Sequence, residues 1–360
     1  MTTKYLQLTE HLKKVITANL KNGIFKLPTE QELCDEYQLS RQTVRTALAL
    51  LQEEGLITKK QGSGAYATGL LLSAIENQIA ILLTSDNEYL YPSLLTHLQS
   101  PIAKEGYTVS VYSTHGQIST EYEILCSLFA HPLRGLIVEC AASALPTPCL
   151  ELYTKLSAQG TSIVFLHSFY PTLSPALYVK DDSINGGYQL ARHLINKNHT
   201  LIAGIFQIDT IQGQERYLGY AKAMQEEGLS FSDEHILWFT KDQLYALRKK
   251  QDTSFLLDFI QKKLTPCTAV ICYNDEIAYW LIKELSYKKL QVPEDISIVS
   301  FDNSYLCTLS TPTLTSLTHD HNAISDAAVS LLFQKIHGSP CTPVILPWRL
   351  VERESVLPRF

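Results

Sequence analysis

From Asn77 onward, short continuous apolar runs alternate with helix-length amphipathic stretches: Ile79 to Leu83, Val109 to Val111, Gly135 to Val138, Ile163 to Leu166, Ile202 to Phe206, Ala269 to Cys272 and Ile296 to Val299. A strand that is apolar at every position has no face to give to water, so it must be covered on both sides, and the intervening helices supply the cover. The rhythm predicts an α/β body of doubly wound parallel sheets. At about 280 residues such a body suits two lobes. The whole chain of 360 residues exceeds what one core serves, so the segment before it is expected to fold as a separate domain.

That segment carries its own signal. Thr29 and Glu32 form a T-x-x-E capping box, each side chain satisfying a free amide at a helix start. The helix should bury Leu33 and Tyr37 and stop near Gln38. Ser40 then caps a second helix with Val44, Ala47, Leu48 and Leu51 on one face, which leaves Arg41, Gln42 and Arg45 facing outward. Gly55 suits a left-handed helix close, and Leu56 to Thr58 and Ala65 to Ala67 read as two strands around a Gln61 to Gly64 turn, with Lys59, Lys60 and Gln61 at its tip. This is a winged helix-turn-helix. Its second helix offers the arginine forks to guanine O6/N7 or phosphate, Gln42 to adenine or a backbone oxygen, and Thr43 to phosphate. The competing reading is an αα-hairpin and a β-hairpin whose charged face is merely solvated.

Charge fits the nucleic-acid reading. The net charge is −6, yet residues 1–69 hold nine Lys/Arg against seven Asp/Glu, leaving 21 against 29 for the rest. A small basic head on an acidic body follows, with few and placed phosphate contacts. The stretch 4–68 resembles the GntR family of bacterial regulators, which implies double-stranded operator DNA as partner. By that resemblance Arg41, Thr43 and Arg45 occupy recognition-helix contact positions, Gly62 the wing position near the minor groove, and Lys4 a place near the backbone. Gln31 departs from it, standing where many relatives have arginine.

The eight cysteines, Cys34, Cys126, Cys140, Cys149, Cys267, Cys272, Cys307 and Cys341, include no C-x-x-C pair and are expected to be buried thiols. Lys4, Glu10 and His11 interrupt any apolar leader, and no apolar run approaches a membrane span of ~18 residues, so a cytoplasmic location with no membrane partner is expected.

Ligands of doubly wound sheets sit outside the carboxyl ends of the strands. Here those ends are polar: Thr84-Ser85-Asp86, Ser113-Thr114-His115, Glu139, His167-Ser168, Asp181-Asp182, Gln207, Asn274-Asp275 and Asp302-Asn303. Acids and amides beside Tyr89, Tyr91, Phe169, Tyr273 and Tyr305 suit a small polyol, whose vicinal hydroxyls need paired donors and acceptors and whose C–H face needs a flat apolar surface. Asp or Asn after a strand also serves simply as a helix cap. Arg216, in Gly213-Gln214-Glu215-Arg216-Tyr217-Leu218-Gly219-Tyr220, lies on a helix whose N-terminus should point into the cleft. His319-Asp320-His321 lacks a third ligand at metal spacing and reads as a helix start or a solvated pair, so no metal and no cofactor are expected.

Arg216 to Tyr220, Cys272 to Ala278 and Val292 to Asn303 resemble three signatures of the LacI/GalR family, a match covering residues 77–357. It implies a periplasmic-binding-protein-like body with Arg216, Asn274 or Asp275, and Asp302 as effector ligands. A GntR head on such a body is similar to the arabinose repressor group, by which Tyr91, Glu139, His167 and Asp182 join the pocket. Gln207 stands where that group has lysine, which removes a charged donor to the sugar. The expectation is a winged-helix domain at 1–68, a linker at 69–76 and a two-lobed effector and dimerisation domain at 77–360. The chain would be a homodimeric repressor released by a small sugar, an arabinose-like pentose first, with an activator or a sugar-phosphate-dependent regulator as the alternative. An enzyme pairing Glu139, Asp182 and Asp302 as acid and base is one rival, but no dinucleotide, Walker, nucleophile-elbow or H-E-x-x-H motif accompanies it; a transport-type sugar-binding protein is the other, which the expected lack of a signal peptide and the DNA-reading head oppose.

Overall fold

The computed structural model describes residues 4–21, 25–60, 64–68, 77–131, 133–320 and 322–359. Two compact units divide the chain, Met1–Gln78 and Ile79–Phe360.

In the first unit, helices α1 (Lys4–Lys21), α2 (Glu30–Tyr37) and α3 (Arg41–Glu53) precede strands β1 (Ile57–Lys60) and β2 (Gly64–Ala67), which pair antiparallel with Thr58 opposite Tyr66. The capping box is formed: Glu32 N donates to Thr29 Oγ1 at 3.2 Å and Thr29 N to Glu32 Oε2 at 2.6 Å. Ser40 Oγ accepts from Thr43 N at 3.2 Å and starts α3. Leu8, Leu12 and Ile16 of α1 pack with Leu33, Val44, Leu48, Leu51 and Ile57. Tyr37, expected inside, is only half-buried and meets His11 edge-on with ring centroids 5.2 Å apart. Gly55 takes φ 73°, the left-handed turn that lets the chain leave α3 for the wing.

The second unit holds two six-stranded sheets. One runs β13 (Val344–Leu346), β7 (Tyr178–Asp181), β6 (Ser162–Leu166), β5 (Gly135–Val138), β3 (Gln78–Leu83), β4 (Thr108–Ser113); the other runs β14 (Arg349–Val351), β12 (Thr315–Thr318), β11 (Ser297–Phe301), β10 (Ala269–Cys272), β8 (Ile202–Gln207), β9 (Ile236–Phe239). The central strands are parallel, β5 between β3 and β6 and β10 between β8 and β11. Their residues are buried throughout, as continuous apolar runs require. The wholly parallel expectation fails at one edge, where β14 runs antiparallel to β12 with Leu350 opposite Leu317. Five strands lay outside the apolar pattern. Among them β12 reads Thr-Ser-Leu-Thr yet is entirely buried, because its hydroxyls find partners, Ser316 Oγ donating to Asp275 at 2.7 Å and Thr315 Oγ1 to the Arg353 carbonyl at 3.3 Å.

The chain passes between the lobes at three places. It leaves β7 at Asp181 for helix α7 (Ser183–Asn196), whose Leu190, Ala191 and Leu194 pack in the second lobe; it returns from β12 through His319 to helix α13 (Ala323–Ile336), whose Ala328 and Leu332 pack in the first; and it crosses again between β13 and β14 at Pro347 and Trp348. The cysteine expectation holds for five thiols. Cys126 is exposed, and Cys34 and Cys341 are half-buried.

Candidate ligand cleft and nucleic-acid interface

On α3 the apolar face is buried and Arg41, Gln42 and Arg45 stand exposed, with Thr43 half-buried beside its cap. Arg45 keeps 60% of its side chain in solvent while Nε donates to Glu30 Oε2 at 2.8 Å. That hydrogen bond holds the Glu30 carboxyl below its ordinary value. Arg41 donates to Gln31 Oε1 at 2.5 Å, and Gln31 Nε2 donates onward to Asp35 at 2.9 Å. Two successive residues of α2 therefore hold the two outward guanidinium groups, and Gln31, the departure from the GntR pattern, holds one of them as a neutral acceptor. Lys4 lies exposed at the start of α1. Gln61 and Gly62 lie outside the described residues.

Between the lobes is a cavity of about 650 Å³. Tyr91, Glu139, His167, Gln207, Arg216, Asn274 and Asp302 all line it. Each belongs to a strand end or the first turns of the following helix, as doubly wound topology requires. Arg216, on helix α8 (Ile211–Glu226), is 2% exposed and stacked, its guanidinium carbon 4.0 Å from the Phe301 ring centre and 4.7 Å from that of Tyr273. It donates to the Tyr273 carbonyl and lies 3.6 Å from Asp302 Oδ1, while its Nε has no hydrogen-bond partner. Asp302 is also fixed from the opposite lobe, accepting from Tyr89 Oη at 2.9 Å. Burial raises the Asp302 carboxyl and Arg216 opposes it, with a net upward shift.

Glu139 is held by neutral donors, Thr84 N at 3.0 Å, Thr84 Oγ1 at 2.8 Å and Tyr91 Oη at 3.2 Å. Gln207 donates Nε2 to Asp209 at 2.7 Å. Asn274 accepts from Ile277 N at 3.0 Å to cap helix α11 (Asp275–Tyr287), which leaves its amide NH2 for the cavity. Tyr89, His115, His167, Asp302, Asn303 and Asn322 line the cavity with positive φ. Left-handed backbone at non-glycine residues persists where surrounding structure over-determines it, as in ligand clefts.

Two expected ligands lie elsewhere. Asp182 caps α7, accepting from Asn185 N at 3.1 Å, and does not line the cavity. Asp275 is fully buried behind it, accepting from Ser304 N at 2.6 Å and from the Ser316 and Ser300 hydroxyls. Burial, followed by the neighbouring Asp302, pushes its carboxyl up to about 6.

The position expected of Asp182 is filled by Asp181. Its Oδ2 accepts from Gln212 Nε2 at 2.8 Å and lies 3.7 Å from His167 Nδ1, while His319 Nε2 is 2.6 Å from Oδ1. Burial alone would raise this carboxyl, but the two imidazoles hold it well below its ordinary value. His167 answers in kind: burial lowers it, Asp181 and Glu139 outweigh that, and it rests above its ordinary value. His319 is thus not solvated. It stacks on Trp348 at 3.7 Å between ring centres. Asp181, His319 and Trp348 come one from each interlobe crossing. Among the described residues no group of three or more His, Cys, Asp or Glu is placed to hold a metal, and no helix is long and apolar enough to cross a membrane.

Comparison with known proteins agrees with both halves. Residues 4–66 match the model of the bacterial regulatory proteins, gntR family, and residues 191–356 that of a periplasmic binding protein-like domain. An arabinose metabolism transcriptional repressor of Halalkalibacterium halodurans is 31% identical over 93% of this chain and 90% of its own length, and one of Geobacillus stearothermophilus is 32% identical over 92% and 91%. Among solved structures, a periplasmic binding protein/LacI transcriptional regulator of Alkaliphilus metalliredigens complexed with D-xylulofuranose superposes with a TM-score of 0.65 at 20% identity, covering 78% of this chain and all of that one.

Proposed function

The chain belongs to the family of transcriptional repressors that joins a GntR-type head to a LacI-type periplasmic-binding-protein-like body and includes the arabinose metabolism repressors, and from that membership we propose that it is a sugar-released repressor of sugar-utilisation genes acting in the cytoplasm. Its relatives are transcription regulators, not enzymes. The head, residues 1–68, reads a palindromic operator through Arg41, Gln42, Thr43 and Arg45 with Lys4, Gln61 and Gly62 in support. The body, residues 77–360, binds the effector, and 69–76 links them.

The observation that carries the sugar reading is the lining of the cleft. Leaving the histidines aside, Arg216, Lys241, Arg248, Lys249 and Arg349 share one cavity with Glu88, Glu139, Asp181, Asp302 and Asp320, five cations with five carboxylates, a mixed lining that suits a neutral polar ligand. The buried Arg216 Nε and the Asn274 amide are donors, and Glu139 and Asp302 are acceptors set on both lobes. Vicinal hydroxyls answer that arrangement. A pentose of the arabinose type is the first candidate, with Gln207 offering it an amide. The Alkaliphilus protein of the same fold holds a pentulose, which supports the class.

Two copies joined through the body would set the recognition helices one duplex turn apart. Closure of the lobes on sugar changes their spacing, and a differential affinity of ~1–3 kcal/mol between states is enough for release. Operator binding titrated with pentoses, hexoses and their phosphates at fixed salt tests this. Arabinose or another neutral sugar should weaken operator binding, and Arg216→Ala should abolish that response while operator affinity persists. If no sugar alters it, the effector reading is wrong.

A further inference from the structure

Asp302 already has a partner from across the cleft. It follows β11 in the second lobe, and its Oδ2 accepts from Tyr89 Oη of the first lobe at 2.9 Å, while Oδ1 lies 3.6 Å from Arg216. Tyr89 stands between β3 and helix α4 (Tyr91–Lys104) at φ 54°, on the cavity wall. Left-handed backbone at a bulky aromatic residue costs energy and persists where contacts hold it. Two adjacent residues supply such contacts. Beside the phenol, Glu88 lies 2.5 Å from Lys249 and 3.7 Å from Arg248, both on helix α9 (Lys241–Lys250) of the second lobe. Residues 88 and 89 thus strap one lobe to the other through the protein's own side chains. Tyr91, two positions on, does not cross: its hydroxyl pairs with Thr84 and Glu139 of its own lobe, at 2.6 and 3.2 Å.

We propose that Tyr89 is a resident competitor for the effector: its hydroxyl fills the place at Asp302 Oδ2 that a ligand hydroxyl takes, and the ligand binds by displacing it and lifting the strap. The proposal rests on the sugar reading above and deepens it. A vicinal diol grips a carboxylate by giving one O–H to each oxygen, and the phenol holds one of those two oxygens with the same kind of donor. Exchange of phenol for sugar hydroxyl leaves the carboxylate satisfied as before and releases the strained backbone at Tyr89. A contact made in the free protein and given up in the complex weakens binding by what it contributes; one kept throughout has no effect, and one made only in the complex strengthens binding. The sign of the hydroxyl's effect therefore identifies its role, and by this assignment Tyr89 sets the concentration at which sugar is felt.

Titration calorimetry and thermal unfolding of the full-length protein read that sign, wild type against Tyr89→Phe, with L-arabinose, D-xylose, D-xylulose and D-glucose as probes. For each sugar that binds either protein, Tyr89→Phe should bind about tenfold tighter, the scale of one hydrogen bond to a charged group. Its unfolding midpoint should fall below wild type without sugar and match wild type at saturating sugar, since a displaced hydroxyl contributes nothing; a merely structural phenol would lower both midpoints alike. Glu88→Gln, which unties the strap without touching Asp302, should bind about twofold tighter at about 50 mM NaCl and equally at about 0.5 M, where an exposed ion pair is screened. Tyr89→Phe binding no tighter than wild type, equal midpoint losses with and without sugar, or Glu88→Gln binding no tighter at low salt would each overturn the proposal and leave the sugar reading standing. Absence of binding by all four sugars to both proteins removes the sugar reading with it.

Discussion

Helices α7 and α8 approach one another through glycine, and that approach sets where Arg216 stands. A Cβ at Gly219 would lie about 1 Å inside the closest approach real Cβ atoms make, against the Ile184 carbonyl oxygen, and 2.7 Å from Tyr188 N; a Cβ at Gly187 would meet the carbonyl of Arg216 itself. Both obstacles are backbone, so no side chain can swing away. Gly219→Ala must push the helices apart, loosening Leu190 and Leu194 from Ala223 and Met224. Alanine gains about 1 kcal/mol over glycine in a helix interior, and overpacking costs about 3 kcal/mol when the neighbour cannot yield. The net loss is about 2 kcal/mol, or roughly 4–8 °C in the unfolding midpoint of a body this size. Differential scanning calorimetry on wild type and Gly219→Ala reads it, and sugar affinity should fall as well because Arg216 is displaced. On an exposed helix the same substitution raises stability, so the sign decides. A Gly219→Ala protein that melts at or above the wild-type temperature would refute the close-packed crossing.

Asp275 predicts a pH effect. Its folded value, pushed up to about 6, lies above the unfolded one, so the stability it allows is full below about pH 4 and lost as pH climbs through 6, by ~3 kcal/mol in all. Asp275→Asn should remove that slope, so its stability relative to wild type should be greater at pH 7.5 than at pH 4.5; urea midpoints that differ by the same amount at both pH values would contradict it. Because His167 rests above its ordinary value, the interaction of its cation with Asp181 is present at pH 6 and fades as pH rises above it. Sugar affinity should decline over that range in wild type and not in His167→Gln; parallel profiles would count against the pair. Arg45→Ala should weaken operator binding by ~1–3 kcal/mol if it reads a base, with the sugar-induced thermal shift of the body unchanged. Uniform weakening across operator variants in a gel-shift assay would assign it to phosphate instead.

The head was legible almost residue by residue, because its signals are local. The Thr29–Glu32 box, the Ser40 cap and the spacing of Val44, Ala47, Leu48 and Leu51 each act within a helical turn, and together they leave Arg41 and Arg45 outward. Tyr37 was the exception, since one apolar position at a helix end does not say whether a neighbour covers it. The central strands of the body were legible for the same reason: Gly135 to Val138 and Ala269 to Cys272 are apolar at every position. Strand β12 was not, because its burial depends on Asp275, Arg353 and other partners far along the chain.

The cleft shows where such reading stops. Arg216, Glu139, His167 and Asp302 follow strands or open helices, and topology alone aims them at one space. The choice between Asp181 and Asp182 needed finer logic that the sequence does hold. Asp182 lies three residues before Asn185, at the offset from which a cap accepts an amide, and Asp181 shares the buried face of Val179 along β7. A cap spends its carboxylate on the helix; its neighbour, one pleat earlier, keeps its own for the cleft. His319 and Trp348 had no such signal. His319 reaches Asp181, and Trp348 stacks on His319, only because three separate interlobe crossings run side by side, and that juxtaposition exists only once both sheets are built. The residues that join the lobes are therefore the least visible in the linear text, and the closure proposed above would act through them.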